Sequence, residues 1–297
     1  MAEFQAIFEK QDFTSLDDAR IFMEEAAGKS LDVFDEAEND DPCYLAQQLA
    51  YDAMEAPSDR EASRLAREAL KIDPDCVDAL VIVAELTRSP TKRLFLFEEA
   101  VKVGEKRLGE DFFAENEGHF WDILETRPYM RAKKGLADEL IYARRPLDAM
   151  RHLEELLKLC PNDNMGNRFD LLGTYLISDH LDQALELLNR YPEGFSAIWN
   201  WSAVLIHYLR RDFDAATEWL ARARKQNRYV EPYLSGKKKI PDVQPEFYTV
   251  GKESEAIVCA SHLAAPWALH PVALAWLIFG GRPGDGRYCG ILTDAKR

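Results

Sequence analysis

REASRLAREALKIDPD (60–75) and LDAMRHLEELLKLCPND (147–163) carry one skeleton of small and apolar residues. In the first it is Ala62, Ala66, Ala69 and Pro74; in the second it is Ala149, Leu153, Leu156 and Pro161. Both show gaps of four, three and five. Gaps of four and three place side chains on one stripe of a helix. A proline five residues further on ends that helix, because it offers no N–H and clashes with the preceding turn. Small residues on the stripe allow a second helix to approach closely. That second helix is in place upstream: Ala46, Leu49, Ala50 and Ala53 precede the first stretch, and Leu136, Ala137 and Leu140 precede the second.

Paired helices with this stripe and closing proline match the tetratricopeptide repeat (TPR) pattern. Three weaker units follow it. Residues 78–104 supply Leu80, Val83 and Ala84, then Phe97 and Ala100; residues 169–192 supply Leu171, Leu172 and Tyr175, then Ala184 and Leu188. Residues 201–227 supply Trp201, Leu205 and Tyr208, then Ala216, Leu220 and Ala223. Short polar turns at 144–146, 178–180 and 210–212 suit antiparallel pairs. No alternating strand pattern is visible. The expected fold is all-α: a TPR-like α-solenoid of about five antiparallel helix pairs, with an insert and a helical C-terminal cap. Its expected divisions are an acidic N-terminal helical cap at 1–40, the solenoid at 41–235 with an insert at about 104–128, a Pro/Lys linker at 236–251, a C-terminal helical cap at 252–280 with Pro266 starting its second helix, and a mobile glycine-rich tail at 281–297.

Charge is unevenly placed along the 297 residues, whose formal net charge is −15. Residues 1–60 hold sixteen acids against four bases, whereas residues 222–252 hold eight bases against three acids. An acidic N-terminal region repels phosphate, which argues against nucleic acid, and attracts a basic partner. The five cysteines (Cys43, Cys76, Cys160, Cys259 and Cys289) are scattered and show no C-x-x-C, so neither a disulfide framework nor zinc is expected. Reduced thiols fit the cytoplasm. The most apolar run, 264–279, is too short and too interrupted by Pro266, His270 and Pro271 to span a bilayer, so no membrane partner is expected.

GHFWDILETRPYMRAKKGLA (118–137) and LLKLCPNDNMGNRFDLL (156–172) are more distinctive than the surrounding repeats. They resemble the TPR-containing proteins related to suppressor of tumorigenicity 7, particularly their bacterial relatives. In these an ETRPYMR element opens one repeat helix and a PNDN-G-R loop opens the next. LAREALKIDPDCVDALVIVAE and YLSGKKKIP also suit that family, extending the resemblance over roughly 44–280. The resemblance implies an intracellular helical scaffold and brings no catalytic residues.

Two groups of residues are candidates for binding. His119, Glu125, Arg127, Tyr129 and Arg131 cluster at the end of the insert. They form either a buried network, with Thr126 capping the next helix and Glu125 pairing with an arginine, or a ligand pocket at the insert–solenoid junction. The TPR pattern lines a partner groove with first-helix residues, which here gives Tyr44, Gln47, Gln48 and Tyr51, then Arg131, Lys134 and Asp138. Arg168, a cation at a helix start, needs an anion nearby and joins them, reaching the ETRPYMR network or a groove carboxylate. The chaperone-tail carboxylate clamp is not expected, since the second unit offers Asp78 and Glu85 at its positions.

Enzyme motifs are incomplete. Residues 26–30 end like a phosphate loop, but Met23 stands where its first glycine belongs, and the six histidines form no H-E-x-x-H pair. No catalytic, metal-binding or cofactor-binding residue is therefore assigned. The first expectation is a scaffold that binds a protein or peptide. The alternatives are a small-ligand sensor or enzyme using the junction pocket, and a structural subunit of a larger assembly.

Overall fold

The structure, a computed structural model, describes residues 41–191 and 196–279. The expected cap at 1–40, the tail at 281–297, the 26–30 motif and Cys289 lie outside those residues. The described residues are helical, without strands, and fall into two compact units, one ending at Gly104 and the other starting at Glu105.

The first unit contains α1 (Pro42–Met54), α2 (Asp59–Ile72), α3 (Val77–Glu85) and most of α4 (Pro90–Leu108). Asp41 caps α1 by accepting from the Cys43 N–H, and Pro42 takes the first turn, where its missing N–H costs nothing. Ser58 caps α2 by accepting from the Glu61 N–H. α1 packs on α2, and α3 packs on both. The contacts centre on Ala46, Ala50, Ala66 and Ala69, all fully buried, as the stripe requires. In α3 the core residues are Ala79, Val81, Ile82 and Ala84, whereas Leu80 and Val83 are half-buried. The expected register is thus turned there, because α3 faces two neighbours rather than one.

The second unit begins with the end of α4 and α5 (Glu110–Glu115), followed by 3-10 turns at Phe120–Asp122 and Leu124–Thr126. Three helix pairs come next: α6 (Arg127–Tyr142) with α7 (Pro146–Leu159), α8 (Asn167–Ile177) with α9 (Leu181–Arg190), and α10 (Ala197–Leu209) with α11 (Phe213–Gln226). Each pair is antiparallel and TPR-like, and each second helix packs on the next first helix. The three turns within the pairs are built alike. Arg144, Asp179 and Arg211 take φ of 61°, 60° and 64°. The following N–H reaches back five residues in each: Arg145 to Leu140 (2.8 Å), His180 to Tyr175 (2.9 Å) and Asp212 to His207 (2.9 Å). This is the Schellman ending of a helix, usually built on glycine.

α12 (Val230–Leu234), α13 (Glu253–Leu269) and α14 (Pro271–Ile278) complete the unit. Pro266 does not start a helix, as the sequence suggests; it lies inside α13, and the break falls at His270 before Pro271. α13 lies along the first helices α8 and α10, burying Ala256, Cys259, Ala260, Leu263 and Trp267 in one core with Trp199 and Trp201. Burial pushes the Cys259 thiol well above its ordinary value, which keeps it protonated. Among the described residues no single helix is long and apolar enough to cross a membrane; α13 and α14 reach that length only across a 115° bend.

Candidate functional site

The insert enters α6 through the two 3-10 turns. α4 continues to Leu108, so the first residues of the expected insert extend that helix. Thr126 does not cap α6; its hydroxyl donates backwards to the carbonyls of Phe120 and Ile123, the latter at 2.7 Å, and pins the turns together. Arg127 turns the same way. Its Nε and Nη2 both donate to the Trp121 carbonyl at 3.2 Å, and its guanidinium lies 5.0 Å from the Trp121 ring centroid. A helix N-terminus disfavours a cation, and Arg127 meets that cost with the insert's backbone rather than with Glu125, which is exposed.

Aromatic rings occupy the junction where a ligand pocket was the alternative. Phe113 lies 5.0 Å from Phe120 and 5.1 Å from Tyr129, the latter edge-on, and Phe112 meets Phe120 at 5.9 Å. Of the five candidates here, Tyr129 is buried, Arg127 and Arg131 are half-buried, and His119 and Glu125 are exposed. His119 is 3.8 Å from Asp122.

Beneath Tyr129 sits a residue the sequence reading passed over. Lys133, one turn further along α6, is 1% exposed. Its ammonium donates to the Tyr129 hydroxyl at 2.9 Å and pairs with Glu155 of α7 at 2.7 Å, with Glu105 at 3.7 Å. The Tyr129 hydroxyl in turn donates to Glu105 at 3.3 Å. Burial, with the two glutamates adding to it, raises the Tyr129 hydroxyl far above its usual value and keeps it a donor. His152 lies on α7 with its Nδ1 buried and unbonded. Burial first, and then the Lys133 charge, pull its imidazole below the usual value.

Arg168 is held by its own loop. Asp163, in a left-handed conformation at φ 51°, accepts from the Asn167 and Arg168 N–H groups at 2.7 and 2.9 Å and from the Arg168 guanidinium at 2.7 Å. The guanidinium also lies against the Phe169 and Tyr191 rings. This carboxylate at the start of α8 answers the cation that the sequence left unexplained.

A second charged group spans the first helices. Lys134 on α6 reaches Asp138 at 2.6 Å and Asp170 on α8 at 3.2 Å, and Asp170 meets His262 of α13 at 3.1 Å. Burial alone would lower the Lys134 ammonium; Asp170 and Asp138 more than compensate and hold it above its ordinary value. For Asp170 burial acts upward, and His262 and Lys134 outweigh it, leaving the carboxyl below its usual value. The Lys134 and Asp170 side chains keep 20% and 21% of their surface and Asp138 keeps 49%, so the chain of charges opens to solvent at α6. In the first unit Gln47 donates to the buried Asp78 at 2.7 Å, which commits it to the contact between α1 and α3, while Tyr44, Gln48 and Tyr51 are half-buried along α1.

Glu255, unflagged by the sequence reading, joins three elements. It is 4% exposed and accepts from the Ala197 N–H at 3.0 Å, the Gly251 N–H at 2.7 Å, Asn227 at 2.9 Å and Gln226 at 3.0 Å. Its position three residues after the cap of α13 is where a capping-box glutamate stands, a signal present in the sequence.

No family model matches the chain, and no curated protein does. Among solved structures it is similar to YrrB, described as a TPR protein with an unusual peptide-binding site, at 17% identity over 62% of this chain and 84% of that one, with a TM-score of 0.46. It is also similar to PilF of Pseudomonas aeruginosa, at 16% identity over 62% and 91% of the two chains, with a TM-score of 0.33. The TPR-like assignment rests on the helix pairs, their alanine contacts and their three equivalent turns.

Proposed function

We propose that the chain is a non-catalytic scaffold that binds a protein or peptide through the first-helix face of its TPR-like pairs. One observation carries this reading: α13 of the chain itself lies along α8 and α10. The face is thus chemically suited to receive a helix, with small and apolar side chains inside and Asp170 at the edge, where it already holds His262 of that helix and Lys134 of α6. α6, the neighbouring first helix, presents Arg131, Lys134 and Asp138 beside that occupied stretch. A partner segment running on from α13 would meet apolar contacts and charged ends, the mode in which a helix fills a groove. The ETRPYMR and PNDNMGNR stretches support the same reading by their resemblance to the scaffolds related to suppressor of tumorigenicity 7. The packed aromatic junction weighs against a small-ligand pocket there.

Asp138→Lys tests the proposal. It reverses a half-exposed charge on the proposed face, and Lys134 keeps Asp170 as a partner. Affinity capture from the native cell, quantified by mass spectrometry against the wild-type chain, is expected to lose its specific partners while the melting temperature stays within about 2 °C, the range of a surface substitution. Retention of every specific partner by the variant would overturn the assignment of this face.

A further inference from the structure

The basic stretch at 222–252 takes no part in the face just described, and its structure gives it a shape. The end of α11 and the start of α13 enclose an open cavity of about 270 Å³ lined by Lys225, Gln226, Arg228, Tyr229 and Lys252 among others. Its cations differ in how far they are already engaged. Arg224 is paired with Glu231 at 2.7 Å, whereas Lys225, Arg228 and Lys252 are exposed and pair with no carboxylate among the described residues. Arg228 donates to the Tyr229 hydroxyl at 3.1 Å. Hydrogen bonding from Arg228, with Lys252 and Lys238 adding positive potential, draws that phenol below its ordinary value. The buried Glu255 beneath is already saturated by N–H donors.

The segment between α12 and α13 belongs to the same stretch of chain and is unusual for its exposed apolar side chains. Val243 is 83% exposed, Phe247 82%, Tyr248 55% and Val250 53%. Asp242 and Glu246 are interspersed with them, and large apolar side chains grouped in water are more the composition of a docking surface than of a spacer.

We propose that the cavity and this segment together form a second docking surface, which takes an acidic peptide segment of a protein partner with an apolar residue seated against Phe247 and Tyr248. Charge selects that occupant. Spaced cations on flexible stems match successive carboxylates, and of the two guanidinium forks here that of Arg224 is occupied by Glu231 while that of Arg228 donates to the Tyr229 hydroxyl. The net charge of −15 repels a long polyanion or an anionic bilayer, while a short acidic segment feels mainly the local potential within a Debye length.

The test uses the full chain and a labelled peptide of glutamates surrounding one leucine, followed by fluorescence anisotropy. Binding is expected to weaken with salt and to fall at least about tenfold in Lys225→Glu/Arg228→Glu/Lys252→Glu, roughly 1.4 kcal/mol. The milder Lys225→Gln/Lys252→Gln pair should lower it several-fold, which guards against a misfolded triple variant. Phe247→Ser should lower it about fivefold, and Asp138→Lys should leave it unchanged, separating this surface from the first-helix face. Equal binding by the charge variants, equal binding of the matching glutamine peptide, or retention on phosphatidylserine vesicles without peptide binding would each overturn the proposal.

Discussion

Lys133 shows how a cation is tolerated in a helix-pair core. Its ammonium is surrounded by the Tyr129 hydroxyl, Glu155 and Glu105, and both glutamates keep nearly half of their side-chain surface in water. A buried charge without its partner is costly, whereas an apolar replacement of similar volume is often neutral. Lys133→Met should therefore cost less than about 1 kcal/mol, since the freed glutamates rehydrate. Glu155→Ala should cost about 2–3 kcal/mol by leaving the ammonium under-compensated. Urea unfolding of the two variants checks the order, and a larger loss for Lys133→Met would contradict it. His152 supplies a pH signature beside this site. Its folded value lies below the usual 6.5, so the unfolded chain takes up the proton first. Its contribution is intact above that usual value and is lost as pH falls through the window toward the folded value. The drop in melting temperature from pH 7.5 to 5.5 should be smaller in His152→Gln than in wild type. Equal drops would show that His152 does not titrate differently in the folded state. In the sequence Tyr129 and Arg168 stood out through their place at helix starts, while Lys133 did not. Its i, i+4 relation to Tyr129 was readable, but the partners on α4 and α7 come from tertiary packing.

At the scale of the element, α13 illustrates how a local rule can mislead. Proline favours helix starts, yet Pro266 lies within α13. Its ring removes the hydrogen bond to the carbonyl of His262. That carbonyl faces Gly173 of α8, where an added Cβ would stand 3.4 Å from it. A Cβ at that distance makes an ordinary contact, so an alanine fits at 173, whereas the γ carbons of a larger side chain would press on the α13 backbone. Gly173→Val should force α13 away and cost about 1–3 kcal/mol through overpacking, against a gain of about 0.5 kcal/mol from leaving glycine in a helix interior. A thermal melt of the variant at or above the wild-type midpoint would show that the contact is loose. The turns between paired helices teach the converse lesson. Arg144, Asp179 and Arg211 share one left-handed geometry. Glycine would have announced it, but these residues adopt it only because the Schellman bonds and the following helix compel them.

For the whole molecule, the helix pairs were legible because close helix contact demands small residues at fixed spacing, and Ala66, Ala69 and Ala149 are indeed fully buried. The placement of α13 on α8 and α10 was not legible: its apolar residues surround the helix without one clear stripe, so periodicity could not say which face it covers. That placement also changes the reading of the candidate site. Arg168 belongs to its loop, Gln47 to a contact with α3, and Lys134 and Asp138 remain at the edge of the first-helix face next to α13. The most direct measurement is photo-crosslinking in the native cell. One full chain carries a benzophenone amino acid in place of Asp138 on the first helix α6, and another carries it in place of Arg151, an exposed residue of the second helix α7. Both positions tolerate a large side chain without entering the core. The account predicts a discrete covalent adduct with a partner protein from position 138 and none from position 151. Adducts from 151 with none from 138 would contradict it and move the binding face to the second helices.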